Sequence, residues 1–425
     1  MNLKGFCSLW STCFVILAAF LFYPASGSVL AQSLTGGPGV DAFFNAIEEN
    51  DTNTVFKMLH DDTNLVHSLY YGRVPLTVAV SKGCKTIVAE LLKCGADINV
   101  ENDTLDTSNC RLTPLDIAVW YDQPEVCRYL LESGADPNRL GYHDGGALHL
   151  AFIYRRAEMA GWLLDHGANP FLENTAAYHQ TTPLDVAIDR GEGKLVPRML
   201  KLMATFSPPT TRTNARPARF NPGRRQFKSP SEILAERGAA WLRAAVQHGE
   251  LEAVQALLQA GVPATNDVQD HSAPILQTFA LAAVEAARAR PGALDQWQRT
   301  QDQLKADYIP HADPKFVASL RSQAAEQAGR IEATDPERLQ QIRELLLKHG
   351  ADYDAFAATA LDDTNQILRL LAADKNPAQS RDNDGQTPLY WAVRTDRLPL
   401  ASFWIKAGVP LDATNDAGQT ALHLA

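Results

Sequence analysis

Catalytic and metal-binding signatures are missing from these 425 residues. There is no HExxH, no GxSxG, no P-loop, and no GxGxxG opening a helix. The usual zinc-hydrolase, serine-hydrolase and nucleotide sites therefore have no foothold, and no cofactor is expected. Cysteine is scarce at six residues, and two of them, Cys7 and Cys13, sit in an N-terminal segment unlike the rest. The other four, Cys84, Cys94, Cys110 and Cys127, fit neither a zinc spacing nor a CxxC redox pair. They leave bridges and unpaired structural thiols both open. Positive charge is in deficit: the formal net charge of −10 weighs against nucleic acid as a chain-wide partner. Beyond the N-terminal segment no apolar run reaches membrane length.

What is present first is a leader-like pattern. Lys4 is the only charge among the first thirty residues, and Cys13 to Tyr23 is an unbroken apolar run of 11. Pro24 ends the run, and small residues lead to Val29-Leu30-Ala31. This is the order of a secretory signal peptide over residues 1–31, shorter than the roughly 20 apolar residues of a spanning helix. Cleavage is expected after Ala31, with Gly27 as the second choice and an uncleaved anchor as the alternative. The expected location is extracytoplasmic, periplasmic or secreted, with a membrane tether if the segment is retained. The processed chain is expected to be monomeric, with no stable membrane span.

Two phrases then recur. The first is VPLTVAV from Val74, TPLDIAV from Thr113, TTPLDVAI from Thr181 and TPLYWAV from Thr387, with GGALHLA from Gly145 and the terminal QTALHLA as Ala-for-Pro versions. The second follows about twenty residues later: ELLKCGADIN, YLLESGADPN, WLLDHGANP and LLLKHGADYD. Thr before Pro marks a helix N-cap followed by the first helical residue, where a missing N–H is harmless. The Gly of the second phrase (Gly95, Gly134, Gly167, Gly350) marks a left-handed helix stop. Pro114 to Ala147 and Pro388 to Ala421 each span 33 positions. Together these phrases and this period resemble the ankyrin repeat. The resemblance implies an all-α solenoid of stacked helix-turn-helix units with hairpin loops, since one helix pair cannot bury its apolar face alone. If a disulfide forms, Cys94–Cys110 is expected to staple a long loop between repeats.

The array divides by composition. Residues 40–204 form an N-terminal block whose first repeat, Ala42 to Asp62, is divergent and charged. Residues 205–230 form a linker rich in Pro and Arg, with Arg212, Arg216, Arg219, Arg224, Arg225 and Lys228 and no acid. Residues 231–425 form a second block with a helical insertion at about 291–335. The sequence stops inside the first helix of a further repeat, so an unfinished, fraying end is expected there.

The resemblance implies protein binding without catalysis, through residues that vary after the first phrase. These include Trp120, Tyr121, Ile153, Tyr154, Arg155, Arg156 and Arg190. Aromatic and Arg side chains dominate binding hot spots, although local packing would also use them. His149 and His423 share one slot with Asp116, Asp185 and Tyr390, which suits a structural role. RDNDG (Arg381 to Gly385) suits a turn between repeats better than a calcium loop, because Ser380 stands where the first acid belongs. Two other functions stay open: an adaptor gripping an anionic surface or partner through the 205–230 cations, and an enzyme seated in the 291–335 insertion.

Overall fold

The computed structural model describes residues 38–103, 111–139, 146–173, 181–202, 229–265, 273–305, 314–373 and 376–425. The 1–31 segment, Cys110 and residues 203–228 with their six cations lie outside the described residues. The chain packs as two compact units that part between Leu130 and Leu131, rather than at the 205–230 stretch where composition changes.

The first unit begins with α1 (Pro38–Glu48) and α2 (Thr52–Asp61), the divergent pair expected at the start. Next come α3 (Pro75–Ser81), α4 (Lys85–Lys93) and α5 (Pro114–Trp120), while α6 (Pro124–Glu132) runs across the boundary. Helices α1, α3 and α5 pack in one row, and α2 and α4 pack in a second. The only sheet among the described residues joins β1 (Asn102–Asp103) to β2 (Arg111–Leu112), antiparallel. Phe43, Phe44, Ile47, Leu76, Ile87 and Leu91 are fully buried between the rows. The alternation of buried and exposed turns is what the two phrases encode.

The second unit continues the scheme with α7 (Ala147–Ile153) and α8 (Ala157–Asp165), α9 (Pro183–Asp189) and α10 (Val196–Lys201), α11 (Pro230–Gln247) and α12 (Leu251–Gln259). It goes on with α13 (Ile275–Lys305), α14 (Pro314–Ala333), α15 (Pro336–Lys348), α16 (Ala355–Ala360), α17 (Thr364–Ala372), α18 (Pro388–Arg394) and α19 (Leu398–Lys406). Helices α7, α9, α11, α13, α16 and α18 stack successively as the inner row. Among the described residues no helix is long and apolar enough to cross a membrane.

The caps follow the expected chemistry. The hydroxyls of Thr113, Thr182 and Thr387 accept from the third helical amide of α5, α9 and α18, at 3.2, 3.1 and 3.1 Å. Pro holds the first helical position in each. Gly134 has φ +91°, and a Cβ there would touch nothing within 4 Å, so conformation and not space demands glycine. His149 lends Nε2 to the Thr181 carbonyl of the next repeat at 2.9 Å, and burial depresses its pKa to about 4. It is a neutral strut. In the RDNDG stretch Asp382 accepts from the amides of Asp384 and Gln386 and from Trp391 Nε1, at 3.0, 2.7 and 2.7 Å. That is a turn fastened to its own repeat. The end of the chain closes in a short 3-10 turn, where Thr420 and His423 cap each other.

The slot shared by His149 holds Asp116 in α5, fully buried. One carboxylate oxygen accepts from the Thr113 amide and hydroxyl at 2.9 and 2.8 Å, while the other has no hydrogen-bond partner. Burial pushes its pKa up to about 7, against the Thr113 hydrogen bonds that favour the anion. The folded chain thus holds a proton that the unfolded chain releases near pH 4. Stability therefore falls as pH rises between about 4 and about 7 and then levels off. Asp116→Asn is expected to remove that slope: urea unfolding at pH 8 should show the variant more stable than the parent, with the gap closing toward pH 4.

Two features differ from expectation. Pro230 is not linker but the first residue of α11, with Ser229 and Glu232 as a capping box. The repeats on either side of the undescribed 203–228 stretch pack directly, α9 on α11. Arg237 Nη1 and Trp241 Nε1 both donate to Asp185, at 2.5 Å each, and Arg237 Nη2 donates to Glu173 at 3.0 Å. The composition break is real in sequence but the stacking passes over it. The insertion also starts earlier than Pro291. Helix α13 fills an inner-row place with Ile275, Leu276, Phe279 and Ala280, then continues unbroken to Lys305 before α14 returns. Pro291 is tolerated because it lies on an exposed face, where water reaches the carbonyl left unpaired.

Candidate partner-binding surface

The residues expected to bind a partner all fall where an inner helix ends and turns into its outer helix. Trp120 is the last residue of α5 and half-buried; Tyr121 is its C-cap and 49% exposed. Both belong to the first unit. In the second unit Ile153 ends α7 and is 37% exposed, and half-buried Tyr154 caps it. Arg155 follows in the left-handed region at φ +56°, exposed, and half-buried Arg156 caps α8. Arg190 caps α9 and is exposed. The display follows from the turn: Trp120 and Ile153 end their helices, and the residues after them lie in the reversal toward the outer helix.

In the second unit the turns carry more ionisable groups than the sequence drew attention to. Burial raises the pKa of Asp189 and of Glu192; in Glu192 Arg155 and Lys194 pull the other way. Burial also depresses His248, with Arg155 adding to the effect. Glu250 is pushed up to about 7, first by burial and then by Glu252, Glu192 and Glu332, with Arg338 opposing. The α13–α14 hairpin reaches this row. Glu326 accepts from Arg155 at 3.3 Å, and Glu332 from Lys194 at 2.7 Å. Because Lys194 bonds it, Glu332 titrates below the usual carboxylate range. Lys194, Glu250, Glu326 and Glu332 were missed because they occupy no repeated phrase. Carrying the alignment four residues past Arg190 would have reached Lys194; nothing local marks the two glutamates of α14.

A pocket of about 270 Å³ opens at the base of the hairpin, lined by Leu251, Arg290, Glu332, Asp335 and Arg338 among others. It gathers ionisable groups, but its cations are matched. Arg290 pairs with Asp335 at 3.0 Å, and Arg338 with Glu332 at 2.9 Å and with Glu252. Through them Arg290 ties α13 to the start of α15, and Arg338 ties α15 to α14 and to α12. No group of three or more His, Cys, Asp or Glu able to hold a metal occurs among the described residues. Cys84, Cys94 and Cys127 form no bridge with one another, and burial pushes the Cys127 thiol up to about 12, which leaves it inert. The Cys94–Cys110 pairing falls on an undescribed residue.

Comparison with known proteins finds a family match over part of the chain. The profile described as ankyrin repeats (3 copies) matches residues 43–140. Residues 43–140 are ankyrin repeats. The ankyrin-repeat stretch is 32% identical over 133 residues to mouse CAP-Gly domain-containing linker protein 3, covering 29% of this chain and 23% of that one. It is 36% identical over 121 residues to the mouse B-cell lymphoma 3 protein homolog, covering 28% and 25%. A putative ankyrin repeat-containing protein of Treponema pallidum (strain Nichols) is 35% identical over 103 residues, covering 24% and 33%. The chain thus spans about a quarter to a third of the length of these relatives. The likeness is one of repeats, and repeats of this family are protein-interaction modules.

Proposed function

We propose that the protein is an exported binding scaffold that captures a protein partner on its inner-to-outer turns and performs no chemistry itself. The observation that carries the reading is the exposure of Tyr121 at the turn after α5 and of Ile153 at the turn after α7, with Asp122 and Arg155 in the left-handed region of those turns. Exposed apolar side chains at such turns are what a partner surface needs. Export rests on the 1–31 segment, whose short apolar run and small-residue end fit a cleaved leader. The pairing of the pocket cations with carboxylates disfavours the enzyme reading, since a substrate anion meets no available arginine.

The test is capture from the extracytoplasmic fraction, with the bound proteins identified by mass spectrometry and the first residue of the captured bait sequenced. Gln32 is the expected start. Replacing Trp120 and Tyr121 with alanine is expected to lower partner retention at least about tenfold, the loss of one or two hot-spot rings. Thermal stability should move little for Tyr121→Ala, as for most surface changes. A large fall in melting temperature with retention unchanged would make these rings packing and end the reading.

A further inference from the structure

The first reversal of the first unit carries a motif that partner binding does not use. Asn50-Asp51-Thr52 is an Asn-x-Thr acceptor for N-linked sugar, with aspartate and not proline at its centre. The sequence holds one other, Asn102-Asp103-Thr104. The two acceptors are placed differently. Asn50 lies between α1 and α2, exposed, in the left-handed region at φ +57°. Asn102 lies in β1, its backbone paired opposite Leu112. Asparagine tolerates the left-handed region better than most residues, so the turn and the acceptor ask for the same side chain.

The fold keeps the backbone of this reversal busy and its acceptor side chains idle. The amides of Asn50, Asp51 and Thr52 donate to the carbonyls of Ile47, Ala46 and Asn50 at 3.1, 2.9 and 3.0 Å. Asp51 turns its carboxylate into α2, where it accepts from the Thr54 amide and hydroxyl at 3.1 and 2.6 Å. Among the described residues neither the Asn50 side-chain amide nor the Thr52 hydroxyl makes a hydrogen bond. A sugar on Nδ2 therefore displaces no native contact and strands no buried group. The residue two places before the acceptor is Glu48, whereas Val100 holds that place before Asn102. Bacterial oligosaccharyltransferases read an acid there, and those of eukaryotic secretory pathways do without it. Asn50 thus suits both kinds of transferase, and Asn102 one.

We infer that Asn50 is an N-glycosylation site of the exported chain. The inference rests on the proposed export, because the transferases act on the far side of the membrane. Transfer takes place on the emerging chain, and the part of the fold is to hold the product in water. The reaction is a displacement. Nδ2 of Asn50 bonds to the anomeric carbon of an oligosaccharide carried on a lipid pyrophosphate. The bond from that carbon to the pyrophosphate oxygen breaks, and its electron pair leaves with the lipid pyrophosphate. The amide nitrogen gives up one proton to a base of the transferase, which recognises the Thr52 hydroxyl.

The test expresses the full chain in two hosts: a eukaryotic secretory cell line, and a bacterium supplied with an oligosaccharyltransferase and its lipid-linked sugar. Each host makes the chain behind its own 1–31 segment and, separately, behind a leader of the host. Peptide mass spectrometry on the extracytoplasmic fraction reads the sugar at Asn50 and at Asn102. Asn50 is expected to carry sugar in both hosts. Thr52→Ala should abolish it in both, and the change leaves no partner unbonded in the fold. Glu48→Gln should abolish it in the bacterium and spare it in the eukaryotic cells. Asn50 left bare in either host, on chain exported behind the host leader, would overturn the site. Sugar on Asn102 without sugar on Asn50 would overturn it as well, and so would sugar on Asn50 that survives Thr52→Ala. Sugar on Asn50 behind the host leader but no exported chain behind the 1–31 segment would overturn the export reading alone and support the acceptor.

Discussion

Asp185→Ala is expected to destabilise the second unit by about 3 kcal/mol, the low end for stranding a buried ionic partner. The carboxylate sits at the third position of α9, closes the Thr182 cap, and receives Arg237 Nη1 and Trp241 Nε1 from α11. Arg237 and Asp185 are only 17% and 16% exposed, so the guanidinium and the indole N–H lose their acceptor where water reaches them poorly. The Arg237–Glu173 pair at 3.0 Å survives and limits the damage. Asp185→Asn keeps one acceptor and should fall between parent and alanine. Urea unfolding checks both. A loss below about 1 kcal/mol for the alanine variant, the range of a surface pair, would show that α9 and α11 hold together without this clamp.

The second large effect belongs to Trp404. Its ring lies in α19 at 0% exposure, edge-on to Phe403 at 5.4 Å, and its Nε1 donates to the Thr359 hydroxyl at 3.0 Å. Trp404→Ala is expected to cost about 4 kcal/mol, through lost burial and an unfilled cavity. The Thr359 hydroxyl keeps its bond to the Ala355 carbonyl at 2.6 Å, so no polar group is stranded. Because repeats are stabilised by neighbours, the loss should stay local. Hydrogen exchange is expected to quicken through α16 to α19 while α7 and α9 keep their protection. Uniform quickening throughout the second unit would instead make it one cooperative block.

How much of this was legible followed the range of the interactions involved. The caps of α5, α9 and α18 and the glycine stops were readable because each is made within four residues. The slot of His149, Asp116, Asp185 and Tyr390 was readable as structural because unlike side chains share it. What each does there was not, since Asp185 meets Trp241 56 positions away. Arg155 and Glu326 pair across 171 positions, and no local pattern announces such a pair. The insertion's start near 291 was not sharp in sequence, because α13 runs from an inner-row place straight into it. The direct packing of α9 on α11 was not readable from the 205–230 stretch, since an unusual composition says nothing of what the flanking repeats touch.

Helices α9 and α11 are fastened to each other by side chains outside that stretch. The stretch is thereby relieved of any duty as a spacer. Closing a loop between two fixed ends becomes only slightly harder with length, about 0.6 kcal/mol for each doubling. Residues between Leu202 and Ser229 are therefore the natural graft site of this protein. A tag, a cleavage sequence or a whole reporter domain inserted there should leave the register of the repeats unchanged, and evolution has the same freedom to lengthen it.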